Sequence, residues 1–251
     1  MGKSNKAGVF TIVVLIGSLS IATAQLKLSN WQVGVNGGLL VYQGDLTPSA
    51  LGSYKTLKPM LGFYISRILN PSFILRTNLV FGTLRGNESL YKKPIYRQQR
   101  NLSFSSPVTE VAELLVWNMF GNNGNEIGTR FSPYLFGGAG VSFLNVSRTS
   151  NLNKTFFANE PRVQVGLARD LTRTTPKVIL VLPVGAGVEY YLTPKLALTA
   201  ETNFRYTITD YIDGFSQVAN PAKKDFYQSH TIGLVFKFGK KNGLDCPVIK
   251  R

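Results

Sequence analysis

Few side chains in this 251-residue sequence are suited to catalysis, since it contains one histidine, His230, and one cysteine, Cys246. A hydrolase needs a nucleophile, a base and a group that orients the base, and His230 could act as the base with Asp210 or Asp213. However, the H-E-x-x-H, G-x-S-x-G and G-x-x-x-x-G-K motifs do not occur, and a zinc site of histidine and cysteine needs more ligands. We therefore expect no catalytic residue, no metal site and no cofactor, with His230 in a structural role.

The elements that would position these residues are β-strands, because apolar residues recur at every second position along eight segments. In the first segment Trp31, Val33 and Val35 share one face, whereas Gln32 and Gly34 face the other way. The segments lie near residues 31–41, 61–66, 73–82, 108–120, 134–143, 181–192, 196–205 and 231–238. No stretch after residue 24 has about 18 consecutive apolar residues, so the sequence predicts no membrane-spanning helix.

The spacing of the segments favours a transmembrane β-barrel over a soluble β-sandwich. Long and short connections alternate, and single-chain outer-membrane barrels combine an even number of strands with short periplasmic turns and long outer loops. The sequence therefore predicts an all-β chain, an eight-stranded antiparallel outer-membrane β-barrel over residues 25–238. The turns at 68–71, 121–130 and 193–195 should face the periplasm, where both termini then lie.

The face opposite to the apolar one contains charged residues where a soluble barrel would have an apolar core. They are Arg76, Glu110, Glu189, Glu201, Arg205 and Lys237. An eight-stranded barrel has room inside for little more than side chains. We therefore expect these charges to form ion pairs that fill the lumen and leave no open channel, and a proton or ion pathway is the alternative.

Glu113 departs from this pattern because it shares the predicted lipid-facing side with Val111, Leu115 and Trp117. A carboxylate that faces lipid costs free energy. A β-bulge, a position near the outer rim or burial against a partner would each remove the conflict. The sequence leaves these three alternatives open.

The N-terminal segment and the overall charge point to export. Lys3 and Lys6 precede an apolar run over residues 9–22, and small residues up to Ala24 form a cleavage site, which predicts a secretory signal peptide over residues 1–24. The net charge of +15 favours anionic neighbours such as lipid phosphates or an acidic protein. Because there is no nucleic-acid recognition motif, we expect no nucleic acid among the partners.

Four short stretches and a tail motif share a resemblance. They are Tyr42-Gln43-Gly44-Asp45-Leu46, Arg100-Asn101-Leu102-Ser103-Phe104, Phe131-Ser132-Pro133-Tyr134-Leu135-Phe136, Thr209-Asp210-Tyr211-Ile212-Asp213 and Asp245-Cys246-Pro247. Together they resemble the PorG-like family, the small outer-membrane barrel of the type IX secretion system. The resemblance implies a non-enzymatic scaffold for protein secretion, linked to gliding motility in some bacteria. Such a scaffold anchors a periplasmic ring, made of a lipoprotein and its ring partner, to the outer membrane.

The C-terminal tail over residues 239–251 gains a role from this resemblance. It should project into the periplasm and contact the ring lipoprotein through Lys240, Lys241, Asp245 and Cys246. Because the periplasm is oxidising, Cys246 is expected either to form an intermolecular disulfide or to remain an inert thiol. The alternative function is that of a small OmpA-like barrel that stabilises the envelope or adheres through its outer loops, with no role in secretion.

Overall fold

The computed structural model describes residues 30–49, 52–123, 130–219 and 224–238. Within these ranges the strands are β1 (Trp31–Gln43), β2 (Lys58–Ile68), β3 (Phe73–Asn87), β4 (Leu102–Asn118), β5 (Phe131–Leu144), β6 (Ser147–Ser150), β7 (Val178–Tyr191), β8 (Leu196–Thr207) and β9 (Phe226–Lys237). The α-helices are α1 (Ile95–Arg100) and α2 (Pro161–Thr172), and single 3-10 turns occur at Tyr54–Thr56 and Glu88–Leu90. None of the described helices is long and apolar enough to cross a bilayer.

All of these strands except β6 form a closed antiparallel β-barrel, which confirms the predicted fold of eight strands. Each barrel strand pairs with the next one along the chain, and β9 closes the ring on β1, where Leu234 lies opposite Val35. No strand of the ring therefore has an open edge. The short strand β6 lies outside the ring and pairs with the first residues of β4.

Side chains along the barrel strands alternate between the lumen and the outer surface. On β2, for example, Phe63 is 45% exposed whereas its neighbour Tyr64 is 4% exposed. The outward side chains of the ring are mostly large and apolar, which is the pattern of a surface that faces lipid. A closed barrel suits this environment because all backbone N–H and C=O groups of the wall pair within the protein.

The two ends of the barrel differ in their connections. At one end, which we call the short-turn end, the strands are joined at residues 69–72, 119–130 and 192–195. At the other, the long-loop end, the connections cover residues 44–57, 88–101, 145–177 and 208–225. Strands β1 and β9 begin and end at the short-turn end, and the orientation of this end toward the periplasm stays a prediction.

Several predicted strand boundaries are wrong at the long-loop end. β4 begins at Leu102 rather than near residue 108, and it pairs there with the extension of β3, Asn87 lying opposite Ser103. These residues lie beyond the apolar belt, which is the band of outward apolar side chains around the barrel. Their outward side chains are polar, so the apolar alternation ends although the hydrogen bonds between the strands continue. The residue pattern likewise predicts none of β6, α1 and α2.

Candidate functional site

A buried ion pair joins opposite walls of the barrel in the lumen. Arg76 on β3 donates to Oε1 of Glu201 on β8 at 2.5 Å, and the Tyr134 hydroxyl donates to the same oxygen at 2.6 Å. The Arg76 guanidinium also lies 4.5 Å from the centre of the Tyr64 ring. Arg76 and Glu201 are both buried. This layer therefore compensates each buried charge and ties four strands together.

A second layer lies nearer to the long-loop end. Nε of Arg205 donates to both carboxylate oxygens of Glu110, at 2.7 and 2.9 Å, and its Nη1 donates to Ser229 at 2.8 Å. The Tyr227 hydroxyl donates to Glu110 at 2.7 Å and lies 2.6 Å from the Ser142 hydroxyl. Bonds of this kind satisfy nearly all polar atoms of the pair, as a buried ion pair requires.

The third pair lies at the short-turn end. Nζ of Lys237 lies 3.7 Å from Oε2 of Glu189, and the Tyr191 hydroxyl bridges the two residues with hydrogen bonds of 2.9 and 2.7 Å. The structure thus places all of the charged residues predicted to line the lumen inside the barrel and brings them together in three pairs.

The long connections fold into a structure that covers the long-loop end. We call their described residues, within 44–57, 88–101, 145–177 and 208–225, the loop cap. The cap has an apolar core that is continuous with the part of the lumen nearest the long-loop end. This core is formed by Leu40, Leu46, Leu84, Leu102, Phe104, Leu167, Ile212, Phe215 and Val218. The cap is therefore a packed part of the fold rather than a set of separate loops.

A buried carboxylate, Glu88, joins two sides of the cap. Its oxygens accept hydrogen bonds from Arg97 at 3.2 Å, from Nε and Nη2 of Arg100, and from the N–H of Leu102 at 3.3 Å. Arg100 also donates to the carbonyl of Val218 at 3.0 Å. A cleft of about 200 Å³ opens beside these arginines. Because both guanidiniums already bind Glu88, we assign no ligand to it.

Asp170 on α2 fixes the last long connection. Its carboxylate accepts from the N–H groups of Ser216, Gln217 and Val218 at 2.9–3.1 Å and from the Tyr211 hydroxyl at 3.0 Å. Helix α2 can approach this backbone closely because residue 166 is glycine, where a Cβ would lie 2.6 Å from the carbonyl oxygen of residue 217.

Asp213 and Asp225 form a further buried acidic site in the cap, and neither carboxyl group belongs to any of the ion pairs of the described residues. The hydroxyl of Tyr42 lies 2.6 Å from Oδ2 of Asp213 and 2.9 Å from Oδ1 of Asp225. A phenol has one proton and can donate to only one carboxylate. At least one of the two carboxyl groups must therefore be protonated for both contacts to be attractive.

The electrostatics of this group agree with that proton count. Burial, and then repulsion from Asp225, raise the pKa of Asp213 well above its usual range. Burial, with repulsion from Asp210 and Asp45, raises the pKa of Asp225 to about 8. Burial also raises the pKa of Asp210 to about 6. The cap therefore contains carboxyl groups that titrate near neutral pH.

The cap also brings together three of the four stretches on which the family resemblance rests. Tyr42 from the first stretch contacts Asp213 from the last, and its ring packs at 4.7 Å in a T-shaped geometry against Phe104 from the second. Leu46 and Ile212 belong to the same apolar core. These motifs therefore specify the closure of the long-loop end, which their separate positions in the sequence did not reveal.

The residues considered for hydrolysis are not brought together as a catalytic group. The imidazole of His230 lies 3.2 Å from the Tyr54 hydroxyl and 3.1 Å from the Thr202 hydroxyl, on the outer side of β9. Asp213 instead binds Tyr42 and the N–H of Phe215. Within the described part of the chain, no cluster of histidine, cysteine or carboxylate side chains has the arrangement of a metal site.

The predicted partner-binding residues Lys240, Lys241, Asp245 and Cys246 lie outside the described residues, as does the predicted signal peptide over residues 1–24. The functional residues that sequence reasoning missed are those of the cap: Glu88, Arg97, Arg100, Asp170 and Asp225. All five fall in the long connections, where the sequence has no strand periodicity, and only their contacts identify them.

The comparisons with known proteins show a family. A family model described as "Domain of unknown function (DUF6089)" matches residues 7–246. No curated protein matches the sequence significantly.

Among solved structures, the Neisserial surface protein A (NspA) is 15% identical, with 84% of this chain and 98% of that chain covered and a TM-score of 0.44. OprG from Pseudomonas aeruginosa is 11% identical, with 84% and 98% covered and a TM-score of 0.42. The outer membrane enzyme PagL is 11% identical, with 82% and 98% covered and a TM-score of 0.39. At such low similarity we draw no functional conclusion from them.

Proposed function

The chain belongs to the DUF6089 family, whose function is unknown, and we propose that it is a non-enzymatic scaffold of the bacterial outer membrane. The short-turn end faces the periplasm, as is typical of single-chain outer-membrane barrels. The barrel holds the protein in the membrane, and its exposed ends bind other proteins.

The observation that carries this proposal is the filled lumen. The pairs Arg76–Glu201 and Arg205–Glu110 cross the barrel with side chains that are almost completely buried, and the packed loop cap covers the long-loop end. A barrel filled in this way offers its surfaces, rather than its interior, for function. His230 and Asp213 bind different partners, Tyr54 and the N–H of Phe215, rather than each other, which also favours a scaffold over a hydrolase.

For the partner, the resemblance to PorG-like proteins favours the periplasmic ring of the type IX secretion system. The short-turn end offers exposed apolar side chains outside the strands, because Met119 and Phe120 are 43% and 58% exposed. The turn that contains them is fixed by Asn118, which donates to Asn122 at 2.6 Å and to Asn123 at 2.9 Å. This turn and the tail with Cys246 form the proposed docking face for the ring lipoprotein.

Affinity purification of the full chain from its native membrane tests the proposal. We expect the periplasmic ring lipoprotein to copurify, and we expect Phe120→Ala or deletion of residues 239–251 to reduce its recovery. Ile95→Ala at the opposite end is the matched control and should leave recovery unchanged. Loss of secretion on deletion of the gene is the second expected result. If no ring component copurifies and secretion persists, the proposal is wrong.

The cap supports a second candidate, an adhesive barrel that acts through its outer loops. Ile95 and Tyr96 on α1 are 64% and 42% exposed on the surface of the cap. Exposed apolar side chains on an ordered surface are typical of interaction sites. For this function, Ile95→Ala should reduce binding of cells to a host or neighbour surface, whereas Phe120→Ala should not.

A further inference from the structure

Glu113 lies on the outer surface of the barrel at the level of the apolar belt. It is in regular register, opposite Thr77 on β3 and Ala139 on β5, so a β-bulge does not explain its position. On β3, Thr77 lies midway between Phe73 and Phe81, and on β4 Glu113 lies four residues before Trp117. A position near the outer rim is therefore also excluded.

The surroundings of Glu113 satisfy its carboxylate only in part. The Thr77 hydroxyl donates to Oε2 at 2.7 Å, and none of the ion pairs of the described residues includes Glu113. Its neighbours on the same strand, Val111 and Leu115, are exposed and apolar. An ionisable side chain at this depth, directed toward lipid, normally marks a functional contact.

Small residues lie next to this carboxylate. Ala139 is directly opposite Glu113 on β5, and Gly137 is opposite Leu115. A Cβ at Gly137 would make only ordinary contacts of 3.9 Å with Pro183 and Val184. The barrel itself therefore does not require glycine there, whereas the close approach of another backbone would.

We propose that this lipid-facing surface, centred on Glu113 with Thr77, Gly137 and Ala139, binds a membrane-spanning segment of a different protein that places a lysine or arginine beside Glu113. A cation is the complement of a carboxylate in a medium of low dielectric constant. A second copy of this chain fits less well, because a two-fold axis along the membrane normal through this surface would bring two Glu113 side chains together.

Photo-crosslinking of the full chain in its native membrane tests this contact. A benzophenone amino acid in place of Val111, which is exposed beside the surface and two residues from Glu113 on β4, probes the contact without filling it, and one in place of Ile232 is the control. Ile232 lies on β9, on the far side of the ring, and like Glu113 is five residues from the end of its strand. We expect a discrete adduct with another membrane protein from position 111 and none from position 232.

The charge is tested by Glu113→Gln, which keeps an acceptor for Thr77, and by Glu113→Lys. Both should reduce the adduct from position 111 by roughly tenfold or more, because one member of a buried charge pair is lost. Heat-modifiable mobility on gels checks that each variant folds. Equal adducts from both positions, no adduct, an adduct of two copies of this chain, or an adduct that Glu113→Gln leaves unchanged would each overturn the proposal.

Discussion

The lumen and the loop cap both bury carboxyl groups, but one buried site of the cap lacks the cation that the lumen sites have. Glu88 in the cap is paired with Arg97 and Arg100, much as the lumen carboxylates are paired with arginine. In the lumen Glu201 and Glu110 each accept hydrogen bonds from an arginine, whereas in the cap Asp213 and Asp225 both contact the hydroxyl of Tyr42. The cation of both these lumen pairs is permanent, because the arginine guanidinium does not lose its proton in proteins. A carboxyl pair without a cation stays neutral only while it holds a proton.

This difference suggests a division of roles between the two regions. The ion pairs of the lumen connect strands that lie on facing walls of the barrel. We expect these ion pairs to stay formed under all conditions in which the protein folds. The cap is held by carboxyl groups from connecting segments, namely Glu88 with its two arginines, Asp170, and the Asp213–Asp225 pair. We therefore expect the cap to open locally while the barrel remains intact.

The largest effect is expected from breaking an ion pair of the lumen. Glu201→Leu leaves the Arg76 guanidinium buried without its carboxylate, which should destabilise the barrel by about 3–5 kcal/mol. Denaturant unfolding in detergent, followed by gel mobility, measures the change. The double variant Arg76→Met with Glu201→Leu removes both charges and should recover most of the lost stability. A double variant as unstable as the single one would contradict this account.

The next effect concerns the cap alone. Asp170→Ala removes the acceptor of the N–H groups of Ser216, Gln217 and Val218, and each unsatisfied group costs about 1–3 kcal/mol when it remains buried. Hydrogen exchange at residues 216–218 should become faster while the unfolding midpoint of the barrel stays unchanged. Glu160→Ala, at an exposed carboxylate that precedes α2, is the matched control. Parallel losses in the cap and the barrel would show that the two regions unfold together.

The third prediction is a pH dependence of the cap. The pKa of Asp225 is raised to about 8 in the folded chain, so folding favours its protonated form. The resulting stability is fully present below the unfolded pKa of about 4 and is lost as the pH rises through about 8. Limited proteolysis of the cap should be faster at pH 9 than at pH 6.

Asp225→Asn keeps a neutral side chain at all pH values and should remove most of this difference. The lumen pairs serve as the internal reference, because barrel mobility on gels should be the same at both pH values. A cap that is equally resistant to protease at pH 6 and pH 9 in the unsubstituted protein would count against the protonated pair.

The contrast between the two regions also explains what the sequence could predict. The strict alternation on β3 and β8 assigns each residue to the lumen or the outer face, so charged residues such as Arg76 and Glu201 could be placed inside the barrel. Which arginine meets which carboxylate depends on the stagger of strands that are distant in sequence. In the connections no such period exists. The contacts of Asp170 with residues 216–218 and of Tyr42 with Asp213 depend on how distant segments of the chain pack together. The family motifs are the only sequence feature that pointed to the Tyr42 contact.

The smallest effect compares two tyrosine hydroxyls at the cap. Tyr54 is exposed, and its hydroxyl meets His230 at 3.2 Å on the outer side of the barrel. Tyr54→Phe should change the opening free energy of the cap by about 0.5 kcal/mol or less, because water replaces an exposed hydrogen bond. Tyr42→Phe removes the same atom from a site where Asp213 and Asp225 are buried, and it should open the cap measurably more. Hydrogen exchange in the connection over residues 208–219 compares the two variants directly. If the two substitutions accelerate exchange equally, the buried carboxyl pair does not hold the cap, and its closure would have to rest on Glu88, Asp170 and the apolar core.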